Sequence, residues 1–453
     1  MDPGSHQTIK TVKKRLFLNA SWLFGGQTIE GVFSALQIVI IARILGVNDY
    51  GLLALIIAYV NILNNFFDFR VWETATKYIG TFWINGEREK TLSTIKLSYV
   101  IDVSSGILAF IIAILTAKIA SDYFIHSPEA YELIWIYSIS LLIDTANSTS
   151  DAILRVFNRF RRIAFISSFI AIFKFLLVST LLFLGLGIKG VLFSFIAASI
   201  LEFSVRLWVV SKTLEENKLT GWWKSNLSLV KDYWKDIAWF LGNTSLAGTI
   251  NMTSDNFLGV LALGYFSGKE AAAYYKIAKS FEKLMTIVKD PLYEAIYPEL
   301  VRIASANALK DFNNLLKYST KKLMKFIVPI ATIILIFSDQ FINLGFGKSY
   351  LPAANTLRIV AVAVVVLQLT FWIHPALLAF GRPGLRTLFL VASTISYIVL
   401  LFLLVPRFSY IGAAFAFLGY ASVRTLIAFI CLRASIRMKK ESFLKTQATL
   451  PHI

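Results

Sequence analysis

Asp255-Asn-Phe-Leu-Gly-Val-Leu-Ala-Leu-Gly264, a short break, then Ala271-Ala-Ala-Tyr-Tyr-Lys276-Ile-Ala-Lys279-Ser-Phe-Glu-Lys283-Leu-Met-Thr-Ile-Val-Lys-Asp290-Pro-Leu-Tyr-Glu294 is the stretch that decides the fold. Its second part reads as one long helix to Leu300. Lys276, Lys279, Lys283, Asp290 and Glu294 are spaced three, four, seven and four apart, which places them on one helical face. Ile277, Phe281, Leu284, Ile287, Val288, Leu292 and Ile296 supply the apolar positions. On a soluble protein this would be an amphipathic surface helix. Here it stands among almost unbroken hydrophobic runs, so the charged stripe must face water inside a membrane.

The rest of the chain fits that frame. Of 453 residues, 57% are hydrophobic and 16% charged, and the mean hydropathy is +0.66. That exceeds what a soluble domain needs. A single cysteine, Cys431, excludes an internal disulfide. The first apolar run is too long for a signal-peptide core, so no cleaved leader is expected.

Runs of about 20 apolar residues, enough to cross a bilayer, lie near 17–42, 51–78, 94–117, 131–156, 163–184, 188–211, 233–263, 271–301, 312–337, 351–378, 385–405 and 410–436. The expected fold is all-α: a polytopic membrane protein with twelve transmembrane helices in two pseudo-symmetric six-helix lobes around a central cavity. Residues 1–211 would form the first lobe, 212–232 a cytoplasmic linker and 233–453 the second lobe. Most of the 45 Lys and Arg lie at the N-terminus, in the even-numbered connections and in the C-terminal tail; examples are Lys13-Lys14-Arg15, Lys321-Lys322 and Lys439-Lys440. The positive-inside rule then puts both termini in the cytoplasm, in an inner-membrane setting. The formal charge of +18 is a topology signal, not a nucleic-acid footprint, because no folded basic domain carries it.

The halves resemble a duplicated unit. Leu45-Gly46 matches Leu263-Gly264, and Ser204-Val205-Arg206 matches Ser422-Val423-Arg424, both at an offset of 218; Asp68 matches Asp290 and Gly190 matches Gly412 at 222. Parallel repeats of this kind enclose a binding site between them. Asn61 stands opposite Lys283 in the repeat, so one half offers amides and the other ammonium groups. A cationic wall suits a phosphate or diphosphate.

Other in-span polar residues are Glu30, Asp144, Lys174, Glu202, Asp255 and Arg358. Lys174 and Arg358 lie deep enough to line a lumen, whereas Arg43, Arg206 and Arg424 read as snorkelling to the interface. A purely structural ion-pair role for the lysine stripe, with Glu282, Asp290 and Glu294, is the bland alternative. Gly185-Leu-Gly187-Ile-Lys-Gly190 fits a dinucleotide fingerprint only literally, since no strand precedes it. His6, His126, His374 and His452 are scattered, so neither a metal nor another cofactor is expected. His374-Pro375 reads as a kink in span ten, and Pro291 as one in span eight. No nucleophile with a base is visible, which argues against an enzyme.

Ala42-Arg-Ile-Leu-Gly-Val-Asn-Asp-Tyr-Gly51 resembles the A-R-x-L-G-x-x-x-Y-G signature of polysaccharide transporters, the lipid-linked oligosaccharide flippases of the multidrug/oligosaccharidyl-lipid/polysaccharide exporter superfamily. Asp255-x3-Gly-x4-Gly264-x9-Tyr274, Ala295-Ile-Tyr-Pro298 and Phe380-Gly-Arg-Pro-Gly384 are similar to later motifs of that family. Asp68-Phe-Arg70 departs from it, because the family usually has glycine at the third position. The resemblance implies flipping of an undecaprenyl-diphosphate-linked oligosaccharide (an O-antigen, capsule or exopolysaccharide unit) by alternating access, often with ion coupling. Lys276, Lys279, Lys283, Lys174, Arg358 and Asn61 are the expected substrate-binding residues. Asp255, Glu30 and Asp68 are the expected coupling carboxylates. Expected partners are the lipid-linked oligosaccharide, membrane lipid and a glycan polymerase or other assembly protein. The alternatives are a cation-coupled exporter of drugs or small metabolites on the same fold, and a non-transporting scaffold of a glycan-assembly complex.

Overall fold

The computed structural model describes the backbone of residues 3–448 except 70, 288, 306 and 307. Side chains are described within 21–439, apart from those positions and 243, 244, 246, 247, 251–256, 290, 291, 294, 295, 298, 305 and 383. The chain divides into two compact units between Thr253 and Ser254. The first holds α1 Pro3–Phe67, α2 Val71–Ile84, α3 Arg88–Ile119, α4 Glu129–Asp144, α5 Ala146–Val156, α6 Phe160–Phe183 and α7 Gly187–Glu216, with α8 Trp234–Asn256 running to the division. The second holds α9 Leu258–Ser267, α10 Lys269–Thr286, α11 Lys289–Ser305, α12 Leu309–Phe346, α13 Ala353–Gln368, α14 Ile373–Ala379 and α15 Pro383–Ala448. Among the described residues there is no strand, so the protein is all-α.

Among the described residues, seven helical stretches are long and apolar enough to cross a membrane. Two of them, of 64 and 56 residues, exceed one crossing about threefold. The helical backbone is interrupted at Gly46 (φ 74°, ψ 177°) and again at Asp68–Phe69 in the first, and at Ser409 (φ 51°, ψ −132°) in the second. Counted twice, these stretches take up nine of the twelve segments read from the sequence. The other three are α4–α5, α8–α9 and α10–α11, helices broken part-way and carrying charge, so composition alone does not mark them. This is a multi-pass membrane protein.

The duplication is clearer in the backbone than in the side chains. Left-handed residues recur at nearly constant spacing: Gly46 and Gly268 (222 apart), His126 and Gly347 (221), Asn158 and Gly381 (223), Gly187 and Ser409 (222). Gly86, Gly185, Lys218 and Gly221 have no such counterpart among the described residues. The partner of Gly46 is therefore Gly268, not Gly264, which is an ordinary buried residue within α9. Gly46 and Gly268 share an extended left-handed conformation (φ 86°, ψ −177° at Gly268) that glycine alone adopts without strain.

Where a span breaks inside a membrane, the freed backbone groups need partners from neighbouring helices. Span two breaks at Asp68–Phe69, and the Ser245 and Thr249 hydroxyls, one turn apart on α8, donate to the carbonyls of Phe69 and Asn65 (2.7 Å for Thr249). Span ten breaks between α13 and α14, and Thr425 of α15 donates to Val366 O at 3.0 Å. This break lies ahead of His374-Pro375, so Pro375 falls in the first turn of α14, where a missing N–H costs nothing. Span four breaks at Thr145; the carboxylate of buried Asp102, on α3, accepts from the Thr149 backbone N–H (2.9 Å) and hydroxyl at the start of α5.

The 217–233 segment is not a slack tether. Lys96 Nζ reaches Ser225 O at 2.8 Å, Ser93 Oγ reaches Asn226 O at 2.9 Å, and Arg88 Nε reaches Lys218 O at 3.0 Å. Trp222 stacks on Tyr99 at 4.8 Å, and Leu219 and Val230 are fully buried. It straps the end of the first unit.

Candidate functional site

In the second unit, α10 carries the three lysines, but in different surroundings. Lys279 is buried, its side chain 7% exposed; its ammonium is paired with Glu282 one turn on and sits 3.6 Å from the centroid of the Phe417 ring. Lys276 is half-buried with its ammonium 5.7 Å from the Phe257 ring, and Lys283 is exposed. The buried wall beside them is aromatic. Tyr275 and Tyr397 share a hydroxyl hydrogen bond of 3.0 Å, and Tyr397 packs on Tyr420 and Phe417. Gly259 leaves room for this pair, because a Cβ there would come within 2.7 Å of both rings' atoms. A desolvated ammonium against an aromatic face is held by the ring quadrupole as well as by its carboxylate.

Arg358 does not join the lysines through any described interaction. Its guanidinium pairs with Asp339, donates to Asn355 Oδ1 at 2.6 Å and braces α13 against α12.

The first unit gathers charge of both signs. Lys174 lies 3.9 Å from the Phe195 ring centroid, within electrostatic reach of Asp144, Glu202 and Glu30. Asp144 is hydrogen-bonded to Ser199. Asn61 donates to Ile57 O at 2.8 Å and meets the hydroxyl of Tyr137. Asp68 lies at the span-two break, directly after α1, and faces Asp102 electrostatically. The side chains of Asp255, Asp290 and Glu294 lie outside the described residues.

Two arginines expected to snorkel do not. Arg206, 7% exposed, pairs with Asp151 of α5 and with Glu202 at 2.7 Å. Arg424, 8% exposed, bonds the Tyr420 hydroxyl and the His374 ring at 3.1 Å. Their positions near span ends suggested an escape to water; in both cases a partner from span four or ten draws them inward. Asp102 and Asp151 escaped the sequence reading as well. Asp102 marks a helix start 47 residues away, which no local periodicity reveals. At the end of α7, outside the apolar body, Arg159 and Arg162 (2.8 Å) clasp Glu216, and the Arg162 guanidinium holds its carboxyl below the usual carboxylate range.

A family model for polysaccharide biosynthesis proteins matches residues 40–355. The inner membrane protein YghQ of Escherichia coli is 21% identical over 341 residues, 75% of this chain and 95% of that protein. The Haloferax volcanii protein named probable low-salt glycan biosynthesis flippase Agl15 is 22% identical over 265 residues, covering 58% of this chain and only 52% of its own length. Among solved structures, an inward-facing multidrug resistance MATE family transporter of the MOP superfamily superposes with a TM-score of 0.75 at 14% identity, over 91% of this chain and 96% of that one. A Pyrococcus furiosus MOP superfamily transporter, described as having a binding pocket of reverse polarity, gives 0.68 at 13% identity over 94% and 96%. The protein has the fold of MATE transporters, and the chain belongs to the polysaccharide biosynthesis protein family.

Proposed function

We propose that the protein flips an undecaprenyl-diphosphate-linked oligosaccharide across the inner membrane by alternating access. The observation that carries this reading is the set of ammonium groups on α10 inside a membrane domain of a glycan-biosynthesis family. A diphosphate cannot enter hydrocarbon unaided, and pre-placed cations lower that cost. Lys276 and the exposed Lys283 meet the headgroup first. Lys279 then exchanges its Glu282 partner for the more highly charged diphosphate, with Phe417 keeping the ammonium in place. Tyr275, Tyr397 and Tyr420, all buried, pack the wall against which Phe417 and Lys279 are set. Arg358 holds α13 rather than substrate, and Lys174 with Asn61 completes the polar interior of the first unit. Glu30 and Asp68, with Asp255, are the coupling carboxylates.

Photo-crosslinking tests the headgroup site: a diphosphate-linked lipid probe should label wild type, and Lys279→Gln should lose most of that labelling at equal expression. Equal labelling of the two would remove Lys279 from the site.

A second reading, cation-coupled export of a small molecule, draws on the first unit, where Glu30, Asp144, Asp151 and Glu202 outnumber Lys174 and Arg206. It predicts efflux of a cationic dye under an imposed proton gradient, abolished by Glu30→Gln. Flipping without dye efflux would dismiss it.

A further inference from the structure

We propose that His374, Arg386, Arg424 and Lys289 form an anion site in the second unit, separate from the α10 lysines, that takes a phosphate or diphosphate group. Arg424 can only donate, so the 3.1 Å contact from its Nη2 makes His374 Nε2 the acceptor and leaves the ring proton on Nδ1. That Nδ1 is buried and has no acceptor, and neither has the buried Nε of Arg386. Buried donors without partners are rare enough to require an explanation, and binding of an anion would supply their acceptor. The two groups belong to one neighbourhood. His374 lies within electrostatic reach of Arg424, Arg386 and Lys289. Its ring meets Phe389 at 5.6 Å, Arg424 lies 5.5 Å from the same ring, and Arg386 is one turn before Phe389 on α15.

Two unpartnered donors, His374 Nδ1 and Arg386 Nε, in a neighbourhood of cationic side chains select an anion over a neutral ligand. His374, Arg386 and Lys289 are each partly exposed, so the site is reachable. Asp290 and Glu294 share α11 with Lys289 and are the carboxylates of this chain best placed by sequence to compete for it. That the natural ligand is a lipid-linked diphosphate rests on the flippase reading; the anion site does not.

The test uses the full chain in detergent micelles, followed by thermal unfolding while inorganic diphosphate is titrated at constant ionic strength. Wild type should show a saturable rise in unfolding temperature. Arg386→Gln should weaken the apparent affinity at least tenfold and His374→Gln several-fold, while Arg386→Lys retains part of it and the outlying Lys348→Gln all of it. The Lys276→Gln/Lys279→Gln/Lys283→Gln variant should keep the Arg386-dependent shift, which separates this site from the α10 lysines. Farnesyl diphosphate acting at lower concentration than inorganic diphosphate assigns the site to a lipid headgroup; equal potency assigns it to the phosphate groups alone. No saturable shift in wild type, or an equal shift in Arg386→Gln, overturns the proposal. So does a shift that appears only after Asp290→Asn or Glu294→Gln, since the chain's own carboxylate would then occupy the place.

Discussion

Arg206 shows what a single buried charge demands here. With its guanidinium between Asp151 and Glu202, removal leaves both carboxylates without the cation that bonds them. Arg206→Ala should therefore cost roughly 3–5 kcal/mol, the range for breaking a buried pair. Arg206→Lys should recover part of that, and Arg43→Ala should cost little. Unfolding midpoints of the purified variants in mixed micelles check the order. The sequence could not reveal this, because Asp151 lies 55 positions away and on another helix. The same holds for the α10 lysines. Their common face follows from their spacing, but the different surroundings of Lys276, Lys279 and Lys283 depend on Phe257, Glu282 and Phe417. Only Glu282 is close enough in the chain to be read.

Among the elements, the broken helices carry the most information. The breaks in spans two, four and ten expose carbonyls or N–H groups that a neighbouring side chain satisfies, and two such partners are threonines that local patterns treat as neutral. Thr249→Val and Thr425→Val should each lose about 0.6 kcal/mol, a typical interhelical hydrogen bond in a membrane. A denaturation series on the two single variants, with Thr332→Val as a comparison because its hydroxyl bonds only within its own helix, measures this. Gly46 and Gly268 make a sharper pair. Nothing lies within 4 Å of a Cβ added at either, so the alanine cost is conformational alone, about 1–3 kcal/mol. Because the two positions are equivalent in the repeat, Gly46→Ala and Gly268→Ala should lower the unfolding temperature by similar amounts. Gly25→Ala, in open helical surroundings, should not lower it. The repeat was legible in the sequence as four weak matches. Its register at the first span end was not, since Leu-Gly recurs at 264 while the conformation recurs at 268.

For the whole molecule, the apolar composition, the two-part organisation and the family motifs were readable before any coordinates, because each depends on many residues at once. The docking of the 217–233 strap was not, because it rests on backbone carbonyls accepting from α3. Orientation belongs to this scale as well. The strap holds Arg88 and Lys96 near Lys218, and Arg159 and Arg162 pair with Glu216 at the end of α7; the positive-inside rule predicts that basic groups of this kind face the cytoplasm. A fluorescent protein fused at the C-terminus should then glow, and alkaline phosphatase fused there should be inactive; the reverse pattern would invert the topology. The central claim is transport of a diphosphate-linked lipid by means of the α10 cations. It is tested most directly by flipping of a short lipid-diphosphate oligosaccharide in proteoliposomes, comparing wild type with Lys276→Gln/Lys279→Gln/Lys283→Gln at matched incorporation. The account predicts flipping by wild type and at least a tenfold loss in the triple variant. Equal rates would make the lysine stripe structural and contradict it.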